Sequence, residues 1–233
     1  MLDKIIEAVK KAVEIYKNAG NDLDISDVNL VTKYDKMIQK FLIDELGKIT
    51  PGASFFCEEG DDNKQLTDGY CYIIDPIDGT TNFIKGFQHS AISVGLAKDK
   101  ELIIGVVADP DKNNLYYAEK GKGAYLNGKR INVSDCGLAE SLVMFGTCPY
   151  EHELAHKTFE LTEKVFNKAL EVRRSGSAAL DICYVASGKA DLYYEMIIRP
   201  WDWAGASVIL LEAGGVLSKI DSSPIDLSKT DSY

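Results

Sequence analysis

The chain has 233 residues, of which 45% are hydrophobic and 27% are charged, the usual mixture for a globular protein. This composition excludes a disordered or collagen-like chain and provides a core that needs no disulfide or structural metal. The 26 basic and 36 acidic residues give a net charge of −10, which disfavours nucleic-acid binding and would repel a phosphate ester unless a bound cation reversed the local field.

The N-terminal residues carry charges every few positions and lack the apolar segment of a signal peptide. No apolar run approaches the ~20 residues that a membrane span requires. The five cysteines are odd in number and show no C-x-x-C spacing, which favours reduced thiols. We therefore expect a soluble, cytoplasmic protein that binds neither a membrane nor nucleic acid directly.

Apolar residues at helical spacing predict two N-terminal helices, the first ended by Gly20 and the second by Gly47. A meander of strands follows, with turns at Asp99-Lys100 and Asn127-Gly128. The predicted strands of this half are residues 70–74, 91–97, 102–107, 115–118 and 123–126.

Helices and strands alternate in the second half of the chain. The predicted elements are strands at 142–145, 170–173, 191–194 and 216–219, and helices at 151–166, 177–187 and 202–213. This order predicts a layered α/β or α+β fold in one domain, 1–233, with approximate subdomains 1–140 and 141–233.

Three acidic groups stand at the ends of predicted strands or at helix starts: Glu58-Glu59, the segment DPIDGTT at 75–81, and Asp202. Taken singly they fit a solvated loop, a turn and a helix cap. Taken together they indicate more, because Asp75 directly follows the apolar run YCYII, where an uncompensated carboxylate is costly.

A stiff turn at Pro76 would let Asp75 and Asp78 face one point, while Gly79 would allow a ligand to approach the backbone closely. Thr80 and Thr81 would then begin a short helix whose N–H groups favour an anion. Hard oxygen ligands beside such a turn predict Mg²⁺ together with a phosphate, and two such ions can activate a water and neutralise a leaving oxygen.

The segments EEGDD, YIIDPIDGTTNF and PWDWAGASVILLEAGGV resemble the signatures of the inositol monophosphatase family. The similarity also includes Asp35 after 31–33, the hairpin at 121–128 and the segments 174–179 and 190–196, so that it covers nearly the whole chain. It implies an αβαβα fold of five layers, commonly a homodimer, and an Mg²⁺-dependent, often Li⁺-sensitive phosphomonoesterase.

The resemblance also implies a role for individual positions. The metal ligands would be Glu58, Asp75 and the Ile77 carbonyl for one ion and Asp75, Asp78 and Asp202 for a second, with a weaker third ion on Glu58 and water. Asp35 and Thr80 resemble the pair that orients and deprotonates the attacking water, with Glu58 also counted among the catalytic residues. The substrate contacts would be backbone N–H groups of Gly79 and Thr80 for phosphate, and Asp78, Ser177, Ala178, Glu195 and Asp202 for the rest of the substrate.

The sequence departs from the family pattern at two places. Cys57 stands where the family usually has Gly before the metal-binding Glu, and we expect it to act as a small buried residue without backbone strain. The family continues with another strand and helix beyond residues 224–226, so the last strand and helix are expected to be lacking and a sheet edge to be uncovered.

His152, Glu153 and His156 match the H-E-x-x-H pattern of zinc peptidases, with Glu171 or Asp181 as a guessed third ligand. A surface coincidence is favoured over this alternative. His89 fits a structural role better than a phosphate contact. The pair Arg173-Arg174 fits phosphate binding and pairing with carboxylates equally well.

The leading substrate is myo-inositol 1-phosphate. The alternatives within the family are fructose 1,6-bisphosphate, 3′-phosphoadenosine 5′-phosphate and histidinol phosphate. Glu195 favours a neutral, hydroxyl-rich leaving group, because a carboxylate would repel a second phosphate. A binding or regulatory role with a protein partner is the remaining alternative.

Overall fold

The computed structural model describes residues 1–19, 33–59, 66, 68–225 and 227, arranged in five layers of alternating helices and sheets. The first layer contains α1 (Leu2–Ala19) and α2 (Lys33–Ile49), which pack on a seven-stranded sheet. The third layer, α5 (Ala178–Ala186) and α6 (Pro200–Glu212), separates this sheet from a three-stranded one, which is covered by α4 (Ala155–Phe166). The predicted αβαβα architecture is confirmed.

The large sheet has its strands in sequence order, as expected for a meander joined by short turns. All neighbouring pairs are antiparallel except the first, in which β1 runs parallel to β2. The strands are β1 (Ser54–Cys57), β2 (Tyr70–Asp78), β3 (Ala91–Lys98), β4 (Glu101–Asp109), β5 (Asn114–Glu119), β6 (Ala124–Leu126) and β7 (Lys129–Ile131). The short helix α3 (Thr80–Ile84) lies between β2 and β3.

Successive side chains of β2 point to opposite faces of the large sheet. The core accordingly forms two clusters, one on each face of that sheet. Tyr72 and Ile74 point to the side of α1 and α2, while Cys71 and Ile73 point to the side of α5 and α6. Because both faces are covered, the strand reads as a continuous apolar run rather than an alternating one.

The small sheet is parallel, with its strands in the order β10, β8, β9. Its strands are β8 (Leu142–Phe145), β9 (Glu171–Arg173) and β10 (Leu192–Tyr194). Tyr194 faces α4, where its hydroxyl bonds Thr162 over 2.7 Å, whereas Tyr193 packs toward the third layer.

Three glycines let α6 approach the large sheet at backbone distance. A Cβ on Gly105 of β4 would overlap the carbonyl oxygen of Gly205 in α6, and one on Gly95 of β3 would lie 3.1 Å from the Gly205 nitrogen. This close contact fixes the distance between α6 and the large sheet. It therefore also fixes the position of Asp202, which lies in the first turn of α6.

The structure corrects four predictions. The second helix does not end at Gly47 but continues to Ile49. Residues 216–219 form no strand, although their exposure alternates, and Val216 is 84% exposed. The strand predicted at residues 70–74 is β2, which does not end there but continues to Asp78. The helix predicted from residue 151 starts at Ala155, after a separate 3₁₀ turn at His152–Leu154.

The remaining expectations about the fold concern Cys57, the end of the first helix, membrane-spanning helices and the division into subdomains. Cys57 lies in β1 and is absent from the residues with positive φ, so it adds no strain. Gly20, the predicted end of the first helix, lies outside the described residues, as do 31–32 and 60–62. In the described part of the chain, no helix is long and apolar enough to cross a membrane. The single domain with two subdomains stays a prediction.

Candidate active site

A β-bulge at the end of β2 aims two carboxylates at the same side of the sheet. Asp75 pairs with Ser93 and Asp78 with Ala91, so three steps along β2 match two along β3. In a regular strand, residues three apart point to opposite faces, and the extra residue of a bulge reverses this. Asp75 and Asp78 therefore both face the third layer; the predicted stiff turn at Pro76 is instead a bulged strand.

Glu58 is brought beside Asp75 by the parallel pairing of β1 with β2. Cys57 pairs with Ile74, and the Glu58 N–H donates to the Ile74 carbonyl over 3.1 Å. Glu58, the residue after β1, therefore lies beside Asp75, the residue of β2 that follows Ile74. Asp35, fully buried in the first turn of α2, lies close enough for its charge to raise the pKa of Glu58.

Asp202 completes the group from α6. Its Oδ2 accepts the Arg199 N–H over 2.9 Å, which fixes the carboxylate at the helix start. Asp75, Asp78 and Asp202 each present a ligand atom, and these atoms lie within 4.8 Å of one another. Among the described residues, this is the cluster of acidic, His or Cys side chains that could share a metal ion.

The N-terminus of α5 holds Asp78 in place. The Ser177 hydroxyl donates to Asp78 Oδ2, and the Ala179 N–H donates to the same oxygen over 2.8 Å. The Ala178 N–H donates to Oδ1 over 3.3 Å. Ser177 and Ala178, expected from the family resemblance to contact the substrate, thus also orient a carboxylate of the cluster.

Gly79 forms the turn between Asp78 and α3. Its φ of 88° is left-handed, and a Cβ would lie 2.9 Å from the Gly176 carbonyl oxygen. Glycine is therefore required both by conformation and by space. Thr80 follows, and its hydroxyl donates to the Ile77 carbonyl over 3.1 Å, leaving a second lone pair on that oxygen.

The carboxylates line a cavity of about 400 Å³ that Glu195 also lines. Glu195 Oε1 accepts the Cys148 N–H over 2.8 Å, and Oε2 accepts the Tyr193 hydroxyl. Gly146 leaves room for this carboxylate, since a Cβ there would overlap it. Glu195 is thus held rigidly where a bound substrate would meet it.

Burial dominates the electrostatics of the site. It raises the pKa of Glu58 to about 7, an effect that a hydrogen bond with Asp75 opposes. It raises the pKa of Asp78 to about 6, although the bonds from Ser177 and Ala179 oppose the rise. Burial together with neighbouring negative charge raises the pKa values of Asp75 and Asp202 well above the ordinary range.

These residues fit a divalent cation. Within the described part of the chain, Glu58 Oε2 and Asp75 Oδ1 are buried without a hydrogen-bond partner, an arrangement that is unfavourable unless a cation compensates it. All the side-chain donors are hard oxygens, which suit Mg²⁺ rather than zinc or copper.

The raised pKa values predict a pH-dependent effect of Mg²⁺ on stability. Without metal, the folded state holds a proton on Glu58 that the unfolded state releases near pH 4.5, so stability should fall as pH rises from 4.5 to about 7. At 1.36 kcal/mol per pKa unit, Glu58 alone accounts for about 3 kcal/mol. Mg²⁺ should reverse the fall because it favours the ionised form.

Melting temperatures at pH 5 and pH 8, each with Mg²⁺ and with chelator, measure this coupling. Mg²⁺ should raise the melting temperature more at pH 8, and Glu58→Gln should flatten the metal-free decline. An equal Mg²⁺ effect at both pH values would contradict the prediction.

The sequence profile of the inositol monophosphatase family matches residues 1–232. The chain belongs to the inositol monophosphatase family. Human inositol monophosphatase 1 is 38% identical over 246 residues, which cover 97% of this chain and 88% of that protein. The Nus factor SuhB of Escherichia coli K12 is 35% identical, with 89% of this chain and 75% of that protein covered.

Solved structures agree with the family assignment. The inositol monophosphatase of Anabaena (Nostoc) sp. PCC 7120 superimposes with a TM-score of 0.87 at 31% identity, covering 99% of this chain and 88% of that one. The chain is therefore a phosphoric monoester hydrolase of this Mg²⁺-dependent family, and its three clustered aspartates suit the metal.

The H-E-x-x-H segment does not form a metal site. His152 and Glu153 lie in the 3₁₀ turn and His156 in α4, so the two histidines do not share one continuous α-helix. All three side chains are exposed, and the guessed ligand Asp181 lines the carboxylate cavity instead. The zinc-peptidase alternative is therefore without support.

The structure places Arg173 and Arg174 in different surroundings. Arg173 lies 3.3 Å from Glu171 in an exposed ion pair. Arg174 lines the cavity and donates to the Thr147 hydroxyl over 3.1 Å.

Several residues of the cavity wall escaped sequence reasoning. Cys148 and Tyr193 hold Glu195, and Tyr150 stands at the cavity with 72% of its surface exposed. Tyr193 had a detectable signal, since it lies in β10 two residues before Glu195, and residues two apart in an extended segment point to the same side. No spacing links Cys148 or Tyr150 to the acidic signatures.

Proposed function

We propose that the protein hydrolyses the phosphate monoester of a small polyol or sugar in the presence of Mg²⁺, with myo-inositol 1-phosphate as the leading substrate. The observation that carries this proposal is the convergence of Glu58, Asp75, Asp78 and Asp202 in one cavity that Glu195 also lines. A phosphate fits the carboxylate end only with cations, and hydroxyl groups fit the Glu195 end.

Glu58, Asp75, Asp78 and Asp202, with the Ile77 carbonyl, would hold the metal. Two or three Mg²⁺ ions are proposed; when bound, they supply electrostatic stabilisation of the phosphoryl group and of the leaving oxygen. The backbone N–H groups of Gly79 and Thr80 would bind the phosphate, which the left-handed turn at Gly79 allows to come close.

Asp35 and Thr80 are proposed to orient the attacking water and remove its proton. The water oxygen forms a bond to phosphorus while the bond to the substrate oxygen breaks on the opposite side, so configuration at phosphorus inverts. The alkoxide that leaves takes a proton from solvent, and no phosphoenzyme forms. Thr80 suits the orienting role because its own hydroxyl proton is committed to the Ile77 carbonyl, which leaves its oxygen free to accept.

The choice of substrate rests on Glu195. Its carboxylate can accept hydrogen bonds from neutral hydroxyls, whereas it repels a second phosphate. Arg174 lines the same cavity, and its positive charge would attract a second phosphate. Fructose 1,6-bisphosphate and 3′-phosphoadenosine 5′-phosphate therefore remain alternatives. One solved relative, SaIMPase-II, is known with inositol monophosphate bound and also with 2′AMP bound.

Phosphate release from a panel of esters tests this proposal. The panel contains myo-inositol 1-phosphate, fructose 1,6-bisphosphate, 3′-phosphoadenosine 5′-phosphate, 2′-AMP and histidinol phosphate, each with Mg²⁺ and with chelator. We expect Mg²⁺-dependent release that is fastest for myo-inositol 1-phosphate. Faster release from a bisphosphate would overturn the substrate assignment, and release that persists in chelator would overturn the metal requirement.

Inhibition by Li⁺, a homodimer and a cytoplasmic location belong to the same proposal, since they rest on the family resemblance. The Nus factor name of a 35% identical relative favours a second candidate, in which the chain acts through a protein partner. A folded protein that binds Mg²⁺ and releases phosphate from no ester would favour that role.

A further inference from the structure

His89 is buried next to the turn at Gly79, among polar groups that the proposed chemistry does not use. His89 is 8% exposed, its ring packs edge-on to Tyr184 at 5.7 Å, and its carbonyl accepts the Asn82 amide over 2.8 Å. It does not line the active-site cavity. Burial of an imidazole at this place needs a reason beyond filling space.

The neighbours of His89 determine which ring nitrogen carries the proton. Lys112 Nζ lies 3.3 Å from Nδ1, and an ammonium group can only donate, so Nδ1 accepts. The proton of the neutral ring is therefore on Nε2. Nε2 lies 3.9 Å from Asp181 Oδ1 and has no hydrogen-bond partner among the described residues. The imidazole thus directs its N–H toward one carboxylate.

Asp181 connects this imidazole to the active site. Its Oδ1 accepts the Ser175 hydroxyl over 2.5 Å, and the Ser175 oxygen in turn accepts the Ser177 N–H over 3.3 Å. Ser177 donates its own hydroxyl to Asp78. A series of polar contacts therefore runs from Lys112 and His89 to a carboxylate of the proposed metal site, with hydrogen bonds at each link except the 3.9 Å approach of His89 Nε2 to Asp181 Oδ1.

We propose that His89 is a positioning residue, whose Nε2–H faces Asp181 Oδ1 across 3.9 Å, attracts that carboxylate electrostatically and so helps to fix the turn at 175–178 that holds Asp78. The proposal rests on the proposed function, because it concerns one of the proposed Mg²⁺ ligands. Burial raises the pKa of Asp181, and His89 and Ser175 both oppose this rise, as expected for partners of its ionised form. Groups that orient metal ligands are typically worth about 10- to 100-fold in metal affinity or activity.

Two substitutions of His89 separate positioning from space filling. In His89→Gln the side-chain amide can donate where Nε2 does and accept from Lys112, whereas His89→Leu fills the space without either contact. We expect His89→Leu to weaken Mn²⁺ binding, measured by electron paramagnetic resonance, and to lower kcat by about 10- to 100-fold. His89→Gln should stay within about threefold of the wild type in both measurements.

Two further variants keep the test decisive. Asp181→Asn keeps the shape of the side chain and removes its charge, and should reproduce the effect of His89→Leu if that variant fails to fold. Thr50→Val is the matched control, because it keeps the shape of the side chain and removes a buried 2.7 Å bond with the Tyr72 hydroxyl, which lies outside the series of contacts. It should leave Mn²⁺ affinity and kcat unchanged.

Equal losses in His89→Gln and His89→Leu would overturn the proposal, as would unchanged Mn²⁺ affinity in His89→Leu. The Mn²⁺ measurement separates this inference from the proposed function. If the wild type releases phosphate from no ester in the panel, the function fails, but a difference in metal affinity between the two variants still supports His89 as a positioning residue.

Discussion

Asp75→Asn is expected to reduce Mg²⁺-dependent phosphate release by at least about a thousandfold, which corresponds to roughly 4 kcal/mol of transition-state stabilisation. Asp75 shares the cluster with Asp78 and Asp202, and its pKa is raised by burial and further by the charges of Glu58, Asp78 and Asp202. An amide of the same shape offers only one neutral oxygen, and a cation would lose much of its binding energy there.

The same substitution should leave the metal-free protein at least as stable as the wild type. Asp75 is 1% exposed, and its Oδ1 has no hydrogen-bond partner, so the fold gains nothing from its negative charge without a metal. Kinetics with Mg²⁺, Mg²⁺ titration by calorimetry and melting in chelator measure the three effects. A variant that keeps full activity would refute the proposed site.

Asp191→Asn is the matched control for this experiment. Asp191 accepts the Ser134 hydroxyl and the Leu142 N–H, and it does not line the cavity. Its replacement should lower stability without changing kcat. The two variants together distinguish loss of a metal ligand from loss of a hydrogen-bonded carboxylate in general.

Gly105→Ala is expected to destabilise the protein by about 3 kcal/mol, the upper part of the usual range for overpacking. The new Cβ would overlap the Gly205 carbonyl oxygen, so the backbone of α6 must move away from the sheet. Because Asp202 lies in the first turn of α6, the shift should also weaken metal binding. Urea unfolding in chelator measures the first effect and Mg²⁺ titration the second.

Gly47→Ala is the control for the effect of adding a methyl group. Gly47 lies inside α2, its φ is not positive, and the nearest neighbour of its Cβ would be Phe55 at an ordinary 3.8 Å. Alanine there should stabilise the helix by up to about 1 kcal/mol. Equal stability of the two variants would show that the contact between α6 and the sheet tolerates an extra atom.

Much of the fold was predictable because its elements have strong local signals. The apolar stripes of α1 and α2 and the Asp99-Lys100 turn between β3 and β4 are properties of short segments. Residues 216–219 show the limit of such reasoning. They alternate like a strand, but a strand also needs a hydrogen-bonded neighbour, and local pattern cannot supply one.

The site was predictable in composition but not in geometry. Asp75, Asp78 and Asp202 were expected to converge, and they do so. The reason given for the first two was wrong, because a bulged strand rather than a stiff turn points them to one side. A bulge depends on register with β3, which two acidic residues and a proline do not determine.

The sequence by itself determined the helices, most strands, the family and the acidic residues of the site, because each depends on spacing or on signatures within one segment. Only the tertiary structure decided how Cys148 holds Glu195 and how His89 faces Asp181. These contacts join residues far apart in sequence or on different elements, and they form only when the layers pack. The physical reason is that a carboxylate takes its orientation from whichever donors the folded chain brings within 3 Å or so of it, and local sequence carries no record of them.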